Sequence, residues 1–312
     1  MTLAFVFPGQ GSQAVGMLSG FSGSSAVRDV LHQADQALGE ALSTLIAEGP
    51  AESLSLTVNT QPAMLVAGLA CFRAWQEAGG PEPAAVAGHS LGEYTALAAA
   101  QAIALPEAVR LVRLRAQAMQ EAVPVGQGSM AAILGLADDQ VRQACAMAAA
   151  EHQGLVVEAA NYNAPAQVVI AGHKAAVERA CEHAKALGAK RALPLPVSAP
   201  FHSSLLRPAG IRLEGVLAGI ALKTPRYALV NNVDARVETE PDRIRDALVR
   251  QASGAVRWVE VVQALAGQGV THVIEFGPGK VLAGLVSRID KSLKVSAVFD
   301  PASLQSVLQE CA

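Results

Sequence analysis

The sequence predicts an α/β fold: one large unit on a mostly parallel sheet, with a small unit inserted into it. Three observations predict this. The pentapeptide Gly88-His89-Ser90-Leu91-Gly92 stands between an apolar run, Ala84 to Ala87, and a helix-forming stretch, Glu93 to Ala102. The segment from Gly126 to Pro200 orders its patterns as strand, helix, strand, strand, helix, strand. Outside that segment, short apolar runs alternate with amphipathic helical ones, as parallel strands with crossover helices do.

The elements follow in order. Leu3 to Phe7 is a short, wholly apolar strand that ends at the glycine-rich loop Pro8-Gly9-Gln10-Gly11-Ser12-Gln13. Gly11 to Gly16 has the outer spacing of a phosphate loop, but Met17 replaces the lysine such a loop requires, and Ala14 breaks a dinucleotide fingerprint. Helices are expected at about 26–38, 62–79, 91–102 and 107–121, the last opened by Pro106 and Glu107. The pentapeptide between strand and helix has the G-x-S-x-G form of a nucleophile elbow, which makes the large unit α/β-hydrolase-like. Its glycines allow the backbone to reverse on both sides of the serine, and Ser90 then lies at a helix N-terminus, where negative charge is favoured.

The inserted unit reads strand 129–136, helix 138–150, strand 155–161, strand 167–172, helix 174–187 and strand 190–197. Asp138 or Asp139 is the expected cap of its first helix, and Gly188 the stop of its second. The order βαββαβ is ferredoxin-like. Turn-rich flanks set its bounds at 126–198 and leave 1–125 and 199–312 to the large unit. Beyond it, strands are expected at 227–231 and 270–276, and helices near 203–219, 241–251, 256–267 and after Gly277-Pro278-Gly279.

Composition narrows the function. The 312 residues are 51% hydrophobic and 16% charged, which is a core-rich globular chain, and the 4% aromatic content makes that core aliphatic. A net charge of −3, spread along the chain, gives no footprint for nucleic acid. Cys71, Cys145, Cys181 and Cys311 show neither disulfide nor metal-ligand spacing. The longest uncharged stretch, Ser53 to Phe72, contains Asn59, Gln61 and Pro62 and reads as a buried loop and helix, not as a membrane span. No secretory signal pattern opens the chain, so a cytoplasmic protein without metal or resident cofactor is expected.

A serine nucleophile needs a base. Of seven histidines, His32, His152, His173 and His183 fall on polar patterns that read as solvated surface, and His272 on a strand as half-buried. His89 adjoins Ser90, but neighbours at an elbow point apart. His202, just past the last strand of the inserted unit, lies where two units meet and is the candidate base. Asp138 and Asp139 lie in the interval where a hydrolase triad would place its acid, but they read as helix caps, so a carbonyl or amide is left to orient the histidine. Arg115 borders the apolar side of its helix near Leu111, Leu114 and Met119. A half-buried guanidinium there snorkels, pairs internally, or awaits a substrate carboxylate.

Taken together, Phe7 to Gln13, Gly88 to Tyr94, Arg113-Leu114-Arg115, Asn161 to Pro165, Ala199 to Ser203 and Gly277 to Lys280 resemble, in order and over almost the whole chain, the family of malonyl-CoA:acyl carrier protein transacylases, to which polyketide synthase acyltransferase domains are related. The resemblance implies ping-pong transfer of malonyl from malonyl-CoA, through an ester on Ser90, to the phosphopantetheine thiol of acyl carrier protein. His202 would be the general base, Arg115 the carboxylate ligand, the backbone N–H groups of Gln10 and Leu91 the oxyanion hole, and the carbonyl of Gln251 the support of His202. The family's pattern departs at Ala252-Ser253-Gly254-Ala255-Val256-Arg257, where an asparagine or serine and a proline are expected. Phe201 would crowd the acyl Cα against branched units, and Asn163 either lines the acyl pocket or serves a turn. Lys190 and Arg191 meet the acidic carrier or are merely solvated, and Lys280 belongs to a structural turn or reaches CoA phosphates. Nothing in this scheme demands more than a monomer. Two other classes remain: an acyl-thioester hydrolase with the same serine and histidine, and a non-catalytic carrier-docking protein.

Overall fold

The structure, a computed structural model, describes residues 1–151 and 154–312; His152 lies outside them. In chain order the elements are β1 (Leu3–Phe7), α1 (Ser25–Leu38), α2 (Leu42–Glu48), α3 (Ala51–Leu54), α4 (Thr57–Glu77), β2 (Ala85–Gly88), α5 (Gly92–Ala99) and α6 (Leu105–Glu121). The middle of the chain forms β3 (Gly128–Leu134), α7 (Asp138–Glu151), β4 (Val157–Ala164), β5 (Gln167–His173), α8 (Lys174–Ala186) and β6 (Arg191–Pro194). There follow α9 (Arg207–Leu217), β7 (Ala228–Val230), β8 (Val237–Glu238), α10 (Pro241–Gln251), α11 (Trp258–Gly267), β9 (His272–Phe276), α12 (Val281–Ile289), β10 (Lys294–Val298) and α13 (Pro301–Cys311).

The large sheet has the order β10-β9-β1-β2-β7-β8 and is parallel except for the edge strand β8. Both faces of β1 are buried, which is why it carries no polar alternation. Phe5 and Phe7 point into one layer with Phe72, Trp75 and Phe276, in edge-to-face contacts 4.7–6.3 Å between centroids. Ala4 and Val6 point into the other, against Trp258, Val262 and Leu285. The alanine-rich α5 is buried on every side.

The small sheet is antiparallel in the order β4-β5-β3-β6, the ferredoxin-like arrangement. Its strands alternate as a period of two requires. Ala131, Ile133, Val168 and Ile170 pack on α7 and α8, while Met130, Val169 and Ala171 face the main core and the cleft.

Several expectations are corrected. The helix expected at 62–79 starts at Thr57 and holds Pro62 inside it. The short helices α2 and α3, the edge strands β8 and β10, and the final helix α13 carried no periodic signal strong enough to be read. Asp138 and Asp139 sit in the first turn of α7, where they complement its dipole rather than cap it. His183 is buried, not solvated, and pairs with Glu151. His272 is fully buried and bonds Ser296. Strand β4 runs on to Ala164, so Asn161 and Asn163 lie on a strand and the turn comes at Ala166, whose φ is 57°. No helix among the described residues is long and apolar enough to cross a membrane.

Loops at the carboxyl ends of β1, β2, β7 and β9 gather along one edge of the large sheet, the usual position of a site in a parallel α/β fold. The elbow after β2 depends on absent side chains. A Cβ on Gly88 would fall 1.9 Å from Gly92, and one on Gly92 would fall 1.9 Å from the carbonyl oxygen of Phe7. Gly92→Ala is therefore expected to lower unfolding free energy by about 3 kcal/mol, measured in urea, because rigid backbone must shift to admit the methyl group.

Candidate active site

Ser90 occupies the apex of the elbow at φ 53°, in the left-handed region. The side chain of Asn232, just past β7, holds it there. Its Oδ1 accepts from the Ser90 N–H at 2.6 Å, and its Nδ2 donates to the Gly88 carbonyl at 2.7 Å. The Ser90 hydroxyl meets His202 Nε2 at 2.6 Å.

His202 lies in the segment between β6 and α9, also left-handed, at φ 64°. Its Nδ1 faces two carbonyl oxygens, Gln251 at 3.0 Å and Gly254 at 3.2 Å. Only an Nδ1–H can serve both, so Nε2 is the free lone pair and accepts from Ser90. Burial, then the charge of Arg115, push the imidazole down to about 3, while the two carbonyls oppose this. No carboxylate is needed to orient the ring, which accounts for the missing triad acid. The departure at residues 252–257 finds its reason here: Gly254 turns the chain and adds its own carbonyl to that of Gln251. A Cβ on it would fall 2.8 Å from the Arg250 carbonyl.

Arg115, on α6, is fully buried rather than half-buried. Its Nη1 donates to Gln61 Oε1 at 2.7 Å, and its Nη2 to Gln251 Oε1 at 2.9 Å and to Ser90 Oγ at 3.0 Å. Its guanidinium carbon lies 5.2 Å from the centre of the Tyr94 ring. It forms no ion pair among the described residues, and its Nε has no partner. Burial lowers its pKa from the ordinary arginine value. A guanidinium desolvated against neutral groups and a π face binds an incoming carboxylate strongly.

The remaining expected residues converge on the same cleft, a cavity of about 200 Å³ lined by Gln10, Leu91, Asn163 and Phe201 together with Ser90, Arg115 and His202. The backbone N–H groups of Gln10 and Leu91 donate to no described residue. Asn163 Oδ1 pairs with His89 Nε2 at 2.8 Å, while the Ser90 hydroxyl bonds His202 and Arg115 and not its neighbour His89. Lys190 and Arg191 are exposed and outside the cleft, and Lys280 lies 5.0 Å from the centre of the Phe299 ring.

Sequence reasoning missed Gln61, Glu93, Asn161 and Asn232. Gln61 was visible as a polar residue in an uncharged stretch. A chain of bonds from Gln10 through Thr57 and Gln61 to Arg115 shows its use. Glu93 is buried behind Ser90, and burial pushes its carboxyl up to about 7 against the pull of Gln251, Asn232 and Arg115. Asn161 lines the cleft with an unpartnered buried Oδ1.

Comparison with known proteins agrees with this geometry. Residues 4–302 match the family described as acyl transferase domain. The malonyl CoA-acyl carrier protein transacylase of Escherichia coli (strain K12) is 52% identical, over 98% of each chain. The crystal structure of an acyl-carrier-protein S-malonyltransferase from Burkholderia pseudomallei 1710b is 64% identical, with a TM-score of 0.96 over 99% of this chain and 100% of that one. A malonyl-transacylase solved in complex with its type II polyketide synthase acyl-carrier protein is 48% identical, with a TM-score of 0.96 over 99% of this chain and 100% of that one. The elbow, the serine–histidine pair and these similarities lead to one conclusion: the chain belongs to the acyl transferase family.

Proposed function

We propose that this enzyme moves a malonyl group from malonyl-CoA to the phosphopantetheine thiol of an acyl carrier protein, through an ester on Ser90. The observation that carries the reading is Arg115, a buried guanidinium without a carboxylate, 3.0 Å from the nucleophile. An acyl group that ends in a carboxylate supplies the missing partner, and an acetyl group leaves it unpaired.

The chemistry follows from the contacts. The Ser90 hydroxyl gives its proton to His202 Nε2 as Oγ attacks the thioester carbonyl. The tetrahedral oxyanion forms against the unused N–H groups of Gln10 and Leu91 at the start of α5. As the C–S bond breaks, His202 returns the proton to the CoA sulfur. In the second half His202 takes a proton from the carrier thiol, which attacks the ester, and gives it back to Ser90. Arg115 exchanges its bond to Ser90 for the malonyl carboxylate. Phe201 walls the cleft beside the acyl group, and Asn163, braced by His89, lines the small-sheet side. Apart from the two thiol substrates, every group these steps use is a side chain or backbone N–H of one chain, and the proposal includes no metal or resident cofactor.

Relatives support the partner: the Escherichia coli relative is named for the same transfer, and the 48% identical structure holds a carrier protein. Lys190 and Arg191, exposed on the small sheet, supply positive charge toward an acidic carrier. Unpaired cysteines and use of a CoA thioester support a cytoplasmic location. Orientation of His202 by carbonyls, together with the Arg115 site, weighs against a hydrolase.

Ser90→Ala is expected to give no acyl adduct by intact-protein mass spectrometry, while the native enzyme takes up malonyl and passes it to phosphopantetheinylated carrier. Steady CoA release without carrier would instead establish hydrolysis. Arg115→Ala should lower kcat/KM for malonyl-CoA by about 10²-fold or more, the worth of a buried charged pair, with a far smaller effect on acetyl-CoA. Because His202 is held at about 3, it is already neutral throughout the working range. In Glu93→Gln, which removes the neighbouring carboxyl held at about 7, single-turnover acylation should then be flat between pH 5 and 8, and an acid limb centred near 6.5 would contradict the assignment.

A further inference from the structure

We propose that Glu93 is a positioning residue for substrate selection, fixing the amide of Gln251 so that its Oε1 faces Arg115. The inference rests on the transfer reading above and assigns a task to a buried group that the chemistry itself does not use.

Glu93 stands in the first turn of α5, 1% exposed, and forms no ion pair among the described residues. Its Oε2 accepts from the Asn232 N–H at 2.9 Å and from Gln251 Nε2 at 2.8 Å. Gln251 Nε2 also donates to the Ser90 carbonyl at 3.0 Å, so both of its protons are engaged. That leaves Oε1 to accept from Arg115 Nη2 at 2.9 Å. A primary amide can sit either way round in a slot of this shape. Reversed, it would set an oxygen against a carboxylate and a carbonyl, and an NH₂ against a guanidinium. The negative charge of Glu93 penalises that reversal more than a neutral acceptor would.

The arrangement has a second consequence. Above its titration near 7, Glu93 is the anion of this buried cluster and Arg115 the cation, and the Gln251 amide lies between them. A carboxylate in direct contact would neutralise the guanidinium and occupy its donors. An amide spacer orients Arg115 and leaves its charge for the substrate. The same Asn232 that bonds Glu93 clamps the Ser90 N–H, so one carboxylate ties the elbow to the selecting arginine.

The test is to measure kcat/KM for malonyl-CoA and acetyl-CoA above pH 7, where Glu93 is ionised, in the native enzyme, Glu93→Gln and Glu93→Ala, alone and in an Arg115→Ala background. Glu93→Gln keeps the volume and an acceptor oxygen but loses the charge. It should lower the malonyl-to-acetyl ratio about fivefold or more, and Glu93→Ala should lower it further. With Arg115 removed, neither substitution should change the ratio by more than about twofold, because the residue acts through that arginine. Equal losses for both acyl groups, or the same loss of ratio in both backgrounds, would overturn the proposal and leave Glu93 a support of the elbow alone. If Glu93→Ala does not fold, Glu93→Gln decides by the same ratio. A native enzyme without preference for malonyl would overturn the transfer reading as well, whereas a native preference kept unchanged in Glu93→Gln would overturn this inference only.

Discussion

Ser90 can hold a left-handed backbone because Gly88 and Gly92 on either side present no Cβ to a chain that passes within 2 Å of where one would be. A non-glycine residue in that region costs about 1–2 kcal/mol. Asn232 offsets the strain by bonding the Gly88 carbonyl and the Ser90 N–H, and the in-register pairing of Phe7 with Gly88 presses the elbow onto the central strand. From this one backbone reversal follow the exposure of the hydroxyl, its place at the start of α5, and the unused N–H of Leu91. His202 is strained in the same sense, at φ 64°. The two groups that would exchange the proton in the proposed transfer are thus both held in uncommon conformations by the packing around them.

A second constraint is the burial of charge without direct pairing. Glu93 and Arg115 sit in one polar cluster with Gln61, Gln251 and Asn232, and the neutral amide of Gln251 separates the two charges. Such a cluster gains little stability over an apolar core, since desolvation consumes most of the Coulombic attraction. Its return is an oriented cation that no internal carboxylate satisfies. The same cation, 3.0 Å from Ser90 Oγ, helps hold His202 neutral before substrate arrives.

The cleft exists because two sheets meet there. The large sheet supplies the elbow and the 8–13 loop, and the small sheet supplies Met130, Asn161, Asn163 and Val169 as a wall. Val256 joins them, since its N–H donates to Ala160 and its carbonyl accepts from Tyr162. The segment that carries the Gly254 carbonyl to His202 is thereby laced to β4. Movement of the small sheet relative to the large one would be felt directly at His202.

The α/β class, the elbow and the ferredoxin-like order were legible in the chain because each rests on local signals: paired glycines at fixed spacing, and apolar periods of two or 3.6. The same signals also singled out Ser90 from its motif and Arg115 from its place on a helix face, and the ordered resemblance tied His202 and Gln251 to them. Tertiary structure alone decided what those residues touch. Nothing local distinguishes Glu93 or Asn232 from an ordinary first-turn acid or loop asparagine, because their partners lie 139 to 158 residues away in the chain. The roles of Thr57 and Gln61 stayed hidden for a related reason: Pro62 argues locally for a helix start, yet packing extends α4 five residues before it. How deeply Arg115 is buried, and that its neighbours are amides and not carboxylates, is a property of four chain segments meeting. No single stretch of sequence records it.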